Sequence, residues 1–285
     1  MKFNFIYPDT TCQHIRNALT NRGCDVFAKD GKRVCFIENE MPREWGWLTI
    51  RQALLWTRKH LYYKKLKMPF RKIRSIGDFL RVPYETFWFK PSESHYIDLK
   101  LKRALIKDKV HFLSESPIMW EDHRIYVAQE PIPSDGQMWV MSLWDSHGNC
   151  RTLWYSTEAI HATNHQVGNV VDYAVRDVGK KLGLRSWMAF MEFCVVGGSV
   201  RFIDLNPRLP GDDDWHELVY AHLTGRSLGA DIATMMLDDA LPPCVKSENV
   251  VLESEWDGKP ISENQRLWEY GDGYKHRPVL TFTKK

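Results

Sequence analysis

A mixed α+β fold built on antiparallel sheets is what this sequence predicts, and three observations predict it. Hydrophobic periodicity switches repeatedly between two and 3.6 residues along the 285-residue chain. Strand-like runs follow one another across connections too short for a crossover helix, as at Ser134, Asp135 and Gly136 and again at "VGGS". A 44% hydrophobic and 13% aromatic content is enough for one large core or two lobes. The 39 basic and 36 acidic residues leave a net charge of +3, too small to imply nucleic acid as a partner. No apolar run approaches the roughly 18 residues of a membrane span, and "MKFNFIYPDTTCQHIRN" turns polar too soon for a signal peptide. A cytoplasmic protein with reduced thiols is expected, since the six cysteines are scattered and form no CxxC pair.

Taken in order, "KFNFIY" and "RVCFIE" read as short strands around a helical "TCQHIRNALTNRG" that Gly23 can close, a small α/β unit. From Leu48 to Leu80 helical patterns alternate with "RKHLYYKKLKMPFRKIR", which reads as a solvated helix face followed by a loop or, as the alternative, as a surface that holds phosphate or nucleic acid. "ETFWFKPSES" reads as a strand turning at Pro91, and "VHFLSESPIMW" as a strand stopped by Pro117. "HRIYVAQEPI" and "QMWVMSLWD" read as an antiparallel pair. In "GNVVDYAVRDVGKKLGL", Val171, Ala174, Val175, Val178 and Leu182 recur at helical spacing up to Gly183. Two further helices, "DWHELVYAHLTG" and "LGADIATMMLDD", precede a polar tail with two or three strands.

The chemistry concentrates in "MEFCVVGGSVRFIDLNPRLPGDDD". Strand alternation puts Val200, Phe202, Asp204 and Asn206 on one face. A two-residue loop of Gly197 and Gly198 pairs Glu192 with Ile203 and sends the two acids to opposite faces. A three-residue loop places Glu192 opposite Asp204, and left-handed glycine suits such loops. Two opposed carboxylates repel unless a cation lies between them, and two carboxylates with an amide suit Mg²⁺. The plainer alternative is a solvated acidic face ending in an Asn-Pro turn.

The stretch from Met191 through "WHELVYAHLTGRSL" resembles the carboxy-terminal core of ATP-grasp enzymes, in their carboxylate-amine ligase branch. There an acid on one strand, a turn, and an acid-x-Asn-Pro-Arg run supply the metal ligands. The resemblance covers roughly residues 75 to 240 and implies two α+β lobes holding ATP between antiparallel sheets, beside the N-terminal α/β unit. It implies Glu192, Asp204 and Asn206 as ligands of Mg²⁺ (or Mn²⁺), and Lys90 in "FWFKPSES" for the α- and β-phosphates. It further implies Glu115 and Ser116 at an adenine hinge and Asp122 at ribose. Arg124 and Arg208 are the candidates for the charge on the transferred phosphoryl group. The loop "PSESHYIDLK" lacks the usual glycines, so either Ser92, Ser94 and His95 do their work or the lid is short, and Phe190 occupies a position where arginine is common. The earlier phosphate-binding lysine has no clear counterpart beyond Arg51.

Competing constellations are weaker. His161 and His165 lie four apart, but Asn164 and Gly168 favour a loop and no cysteine completes a zinc set. His216 and His222 are six apart on different helix faces, and no nucleophile elbow surrounds any serine or cysteine. Asp212, Asp213 and Asp214 cap the following helix or meet an amine substrate. The expected organisation is residues 1–50 as the N-terminal unit, 51–116 as the small lobe, 117–242 as the large lobe with the metal site, and 243–285 as an extension. The expected function is an ADP-forming ligase joining a small-molecule or peptide carboxylate to an amine through an acyl phosphate. A small-molecule kinase, or a non-catalytic nucleotide- or nucleic-acid-binding module, are the alternatives, and a homodimer is left open.

Overall fold

The computed structural model describes residues 1–5, 13–34, 50–92, 104–115, 125–157, 159–163, 169–207, 213–267 and 278–283. The chain divides into two compact units, one of residues Met1–Phe36 with Ser134–Lys285, the other of Ile37–Pro133. It opens with β1 (Phe3–Phe5), α1 (Gln13–Asn21) and β2 (Lys32–Val34), the two strands parallel. Gly23, at φ +75°, follows the end of α1 as the sequence suggests.

The smaller unit contains α2 (Ile50–Thr57), α3 (Lys59–Lys65), β3 (Arg71–Ile73), α4 (Ile76–Leu80), β4 (Phe87–Pro91), β5 (Ala104–Ile106), α5 (Lys109–Glu115) and β6 (Tyr126–Gln129). Its four strands form an antiparallel sheet in the order β3-β6-β4-β5. One face of that sheet buries Ile73, Phe87, Phe89, Tyr126 and Ala128 around Phe79 of α4. Two expectations are corrected here. "VHFLSE" is helix rather than strand, because the Asp108 carboxylate accepts the N–H groups of Val110 and His111 and so caps a first turn. The segment 126–129 does not pair with the strand that follows it. Pro131 and Pro133 interrupt the connection, and β6 inserts between β3 and β4 instead.

The larger unit continues with β7 (Gly136–Trp144), β8 (Cys150–Ser156), β9 (Ile160–Thr163), α6 (Asn169–Leu182), β10 (Trp187–Val196), β11 (Ser199–Asn206), α7 (Asp213–Thr224), α8 (Leu228–Asp238), β12 (Val250–Glu255), β13 (Gln265–Leu267) and β14 (Pro278–Thr283). Eight strands make one antiparallel sheet in the order β11-β10-β7-β8-β9-β12-β14-β13. Helix α6 covers one face, where Gly179 lies against Trp144. Helix α7 covers part of the other, placing His216 on Phe190 and Trp154. The C-terminal strands belong to this sheet because β12 pairs with β9, so residues 243–285 are not a separate extension. The N-terminal unit likewise belongs here: α1 packs on α8 so closely that His14 leaves no room for a Cβ at Gly229. The lobe boundary falls after Pro133, not after residue 116, because β6 completes the smaller sheet. No described helix is long and apolar enough to cross a membrane.

Candidate functional site

The acidic hairpin reaches its arrangement by a route the sequence does not announce. Its turn has two residues, not three. Val196 pairs with Ser199, and Gly197 and Gly198 both take positive φ (53° and 75°), as a type I′ turn requires. The Asp135 carboxylate accepts the Gly197 N–H at 2.9 Å and holds the turn. From that turn alone, Glu192 would face Ile203. The register instead shifts between Glu192 and Phe193: Phe193 pairs with Phe202 while Glu192 pairs with Asp204. Ile203 is therefore the extra residue of a β-bulge, a device that re-aims side chains beside it.

The bulge also splits the face expected of β11. Phe202 lies with Phe193, their rings edge to face at 5.8 Å, whereas Asp204 shares the face of Glu192 and Asn206 that of Phe190. Thus Glu192, Asp204 and Asn206 come together on the side of the sheet opposite α6. The Asn206 amide donates to a Glu192 carboxylate oxygen at 3.3 Å, and the Leu205 N–H donates to Asp204 at 2.9 Å. Trp187, fully buried, donates its indole N–H to the Pro207 carbonyl at 2.7 Å and so fixes the strand end carrying Asn206. All three side chains are half-buried. Two opposed carboxylates with an amide oxygen available form a hard-oxygen donor set that fits a divalent cation. Among the described residues no group of three or more His, Cys, Asp and Glu gathers, so there is no zinc-like cluster.

In the smaller unit Lys90 sits on β4, only 7% exposed, its Nζ 3.4 Å from Gln129 Oε1, which also accepts from the Tyr63 hydroxyl at 3.4 Å. Lys72 on β3 and Lys90 on β4 both stand opposite Val127, so they share the sheet face away from the aromatic core. The sequence does not single Lys72 out from the other cations of "RKHLYYKKLKMPFRKIR", and only the strand order β3-β6-β4 brings it beside Lys90. Arg51 lies exposed on α2. His60 of α3 contacts Ser92 Oγ through Nδ1 at 2.5 Å, and Ser92 follows β4 directly.

Burial first, then the charges of Lys72, Arg58 and Arg74, push the His60 imidazole down from 6.5 to about 4. Above pH 6.5 both folded and unfolded chains hold it neutral. Between 6.5 and about 4 the unfolded chain binds a proton that the folded chain refuses, so stability falls as pH falls through that window. The expected loss is on the order of 1 to 2 kcal/mol after allowing for solvent screening. Across that window the urea midpoint of the wild type should fall, as pH is lowered, relative to that of His60→Gln, whose amide does not titrate. Parallel curves would contradict a neutral His60.

Glu115 lies at the end of α5, exposed, 3.5 Å from His111, and is not in a strand. Ser116, Asp122, Arg124 and Arg208 lie outside the described residues, as do Ser94, His95, His165 and Asp212 and the side chains of Asp213 and Asp214. His161 is on β9, not in a loop. His216 and His222 serve packing: the first is buried beside Trp215 at 4.6 Å, and the second is joined by Nε2 to the Thr283 carbonyl at 2.9 Å. Cys24 and Cys150 are buried free thiols, and Cys194 is buried as well. Burial pushes Cys150 up to about 12, which removes it as a nucleophile at neutral pH.

No family model matches the chain, and no curated protein is similar to it at the level required. Solved structures do match over nearly the whole length. An L-amino acid ligase from Bacillus licheniformis superimposes with a TM-score of 0.66 at 11% identity, covering 96% of this chain and 80% of that one. The N5-carboxyaminoimidazole synthetase of Staphylococcus aureus, complexed with ADP, gives 0.72 at 11% identity over 100% and 93% of the two chains. The N5-carboxyaminoimidazole ribonucleotide synthetase of Thermus thermophilus gives 0.69 at 13% identity, covering 100% and 94%.

Proposed function

From the ATP-grasp fold that these likenesses show, we propose that the chain is an ATP-dependent, ADP-forming carboxylate-amine ligase acting through an acyl phosphate. One observation carries the reading: the bulge at Ile203 restores Glu192 opposite Asp204 and leaves the Asn206 amide on Glu192. Carboxylates placed opposite one another on a ladder repel, and a cation between them turns that repulsion into binding. A two-residue turn with no bulge would have separated them, so the hairpin is built to gather charge. Glu192, Asp204 and Asn206 are the residues that would hold Mg²⁺ or Mn²⁺. When bound, the ion supplies charge neutralisation to the phosphate groups.

Lys90 orients the α- and β-phosphates by charge, and Lys72, on the same sheet face, is the second cation of that surface. Burial is the main reason that His60 resists protonation, but Lys72, Arg58 and Arg74 add to it, and a cluster of cations of that kind attracts polyanions. Arg124 and Arg208 are assigned to the transferred phosphoryl charge, and Glu115, Ser116 and Asp122 to adenosine. The comparison ligases act on amino acids or make a carboxylated ribonucleotide, as their names state, and a small carboxylate and an amine are the substrate classes proposed here. Little covalent chemistry is required of the protein, because positioning and charge dominate phosphoryl transfer.

Lys90→Ala is expected to weaken ATP binding about tenfold or more while the fold survives, with Lys90→Met as the variant that leaves no cavity. Nucleotide titration of both checks it, and unchanged affinity in folded protein would contradict the role. The activity itself is tested by phosphate release from Mg·ATP with the twenty L-amino acids offered singly and in pairs. Phosphate release that needs two partners supports a ligase; ADP formed with one acceptor and no phosphate released, the phosphoryl group staying on that acceptor, would point to a kinase.

A further inference from the structure

The large sheet carries a second polar constellation on the face of the acidic pair. Pairing across the strands runs Glu192 to Trp139, Trp139 to Ser156, and Ser156 to His161, so these residues form one lateral row on one face. Ser156 stands two strand spacings, about 10 Å, from Glu192. Its hydroxyl lies 2.5 Å from His161 Nδ1, and His161 Nε2 lies 2.9 Å from Glu253 Oε2 on β12. Ser156 and His161 are 4% and 1% exposed, and the Trp215 ring meets His161 edge-on at 4.8 Å.

The chemistry of the three groups fixes the direction of their protons. A carboxylate only accepts, so neutral His161 carries its proton on Nε2 and donates to Glu253. Nδ1 is then the acceptor, and the Ser156 hydroxyl donates to it. The Ser156 oxygen is left as a proton acceptor backed by imidazole and carboxylate, the order of partners that activates a hydroxyl in hydrolytic triads.

We propose that Ser156, His161 and Glu253 form a proton relay that deprotonates the incoming amine. The inference rests on the ligase reading. An ammonium substrate cannot attack a carbonyl until it loses a proton. That proton passes to Ser156 Oγ as the Ser156 proton moves to His161 Nδ1, leaving a neutral amine and an imidazolium paired with Glu253. The amine nitrogen then bonds to the acyl carbon, the carbon–oxygen bond to phosphate breaks with its electron pair, and phosphate takes the second nitrogen proton. Ser156 touches the substrate; His161 and Glu253 are positioning residues acting through it. Two strand spacings, about 10 Å, separate Ser156 from the acidic pair with Trp139 between them in the row, so the phosphoryl group and the acyl carbon would lie over that residue.

The test uses the pair of L-amino acids that releases most phosphate, with hydroxylamine as an alternative amine already unprotonated at neutral pH. Ser156→Ala and His161→Gln should lower kcat with the amino acid by about 10²-fold or more, with little change in KM for ATP. Both should retain wild-type acid-dependent exchange of the ATP β,γ-bridging oxygen and wild-type hydroxamate formation. If either variant folds poorly, Glu253→Gln, whose amide oxygen still accepts the Nε2 proton, should show the same selective loss. Equal slowing with both amines, exchange falling in step with ligation, or no slowing would overturn the relay. Absence of acid-dependent exchange in the wild type would overturn the ligase reading, and the relay with it.

Discussion

Asp204→Asn should cut ATP turnover by about 10²- to 10³-fold while leaving the apo protein as stable as the wild type or slightly more so. The loss of rate follows from removing one charge from the group that neutralises phosphate, a change of the size seen when a single preorganised electrostatic partner is deleted. The stability follows from two contacts. Asn keeps an oxygen able to accept the Leu205 N–H, which Asp204 binds at 2.9 Å. It also relieves the repulsion from Glu192 directly across the ladder, where opposed like charges cost a few tenths to about 1 kcal/mol. A structural role for Asp204 predicts the reverse, near-normal turnover in a protein weakened by several kcal/mol. Steady-state kinetics and urea denaturation of the one variant separate the two.

Gly179→Ala should destabilise the larger unit by about 2 to 4 kcal/mol, against the gain of up to about 1 kcal/mol that alanine brings to a helix interior. A Cβ at this position overlaps the Trp144 ring, whose Cζ3 would lie 2.8 Å away and two further ring carbons closer still. Trp144 has little room to yield. It is 1% exposed, and its indole N–H donates to Ser142 at 3.0 Å, which in turn donates to the Ala189 carbonyl at 3.1 Å. Helix α6 would have to lift from the sheet, and it packs on β11 as well as β8. A lower urea midpoint is the expected result. A raised one would show that the indole can move and that helix propensity decides.

Much of this was legible in the residues. The amphipathic period of α6, Gly23 and Gly183 past their helices, and the acid, acid and amide set all stand in the sequence as the structure places them. Most of what was not legible depends on partners distant in sequence. The type I′ turn at Gly197 and Gly198 argues for separated acids, and nothing local in "VRFIDLN" signals that Ile203 bulges out to reunite them. Asp108 caps "KVHFLSE" into a helix although the stretch alternates well enough to pass for a strand. Lys72 gains meaning only from β6 lying between β3 and β4. Ser156, His161 and Glu253 span nearly a hundred residues and meet only because β12 returns to β9. Apart from the Asp108 cap, which is local, these misses are cases of long-range strand order overriding local pattern.

The most direct measurement is a set of thermal melts of wild type and Asp204→Asn with and without Mg·ATP at about a hundred times its dissociation constant. A ligand binding only the folded chain at that excess adds about 2.7 kcal/mol, equivalent to a rise of about 5 °C in a protein of this size. The wild type should show that rise, lose most of it when magnesium is withheld, and Asp204→Asn should lack it. Identical melting of both proteins under all conditions would contradict the metal-nucleotide site at Glu192, Asp204 and Asn206 and the ligase function built on it.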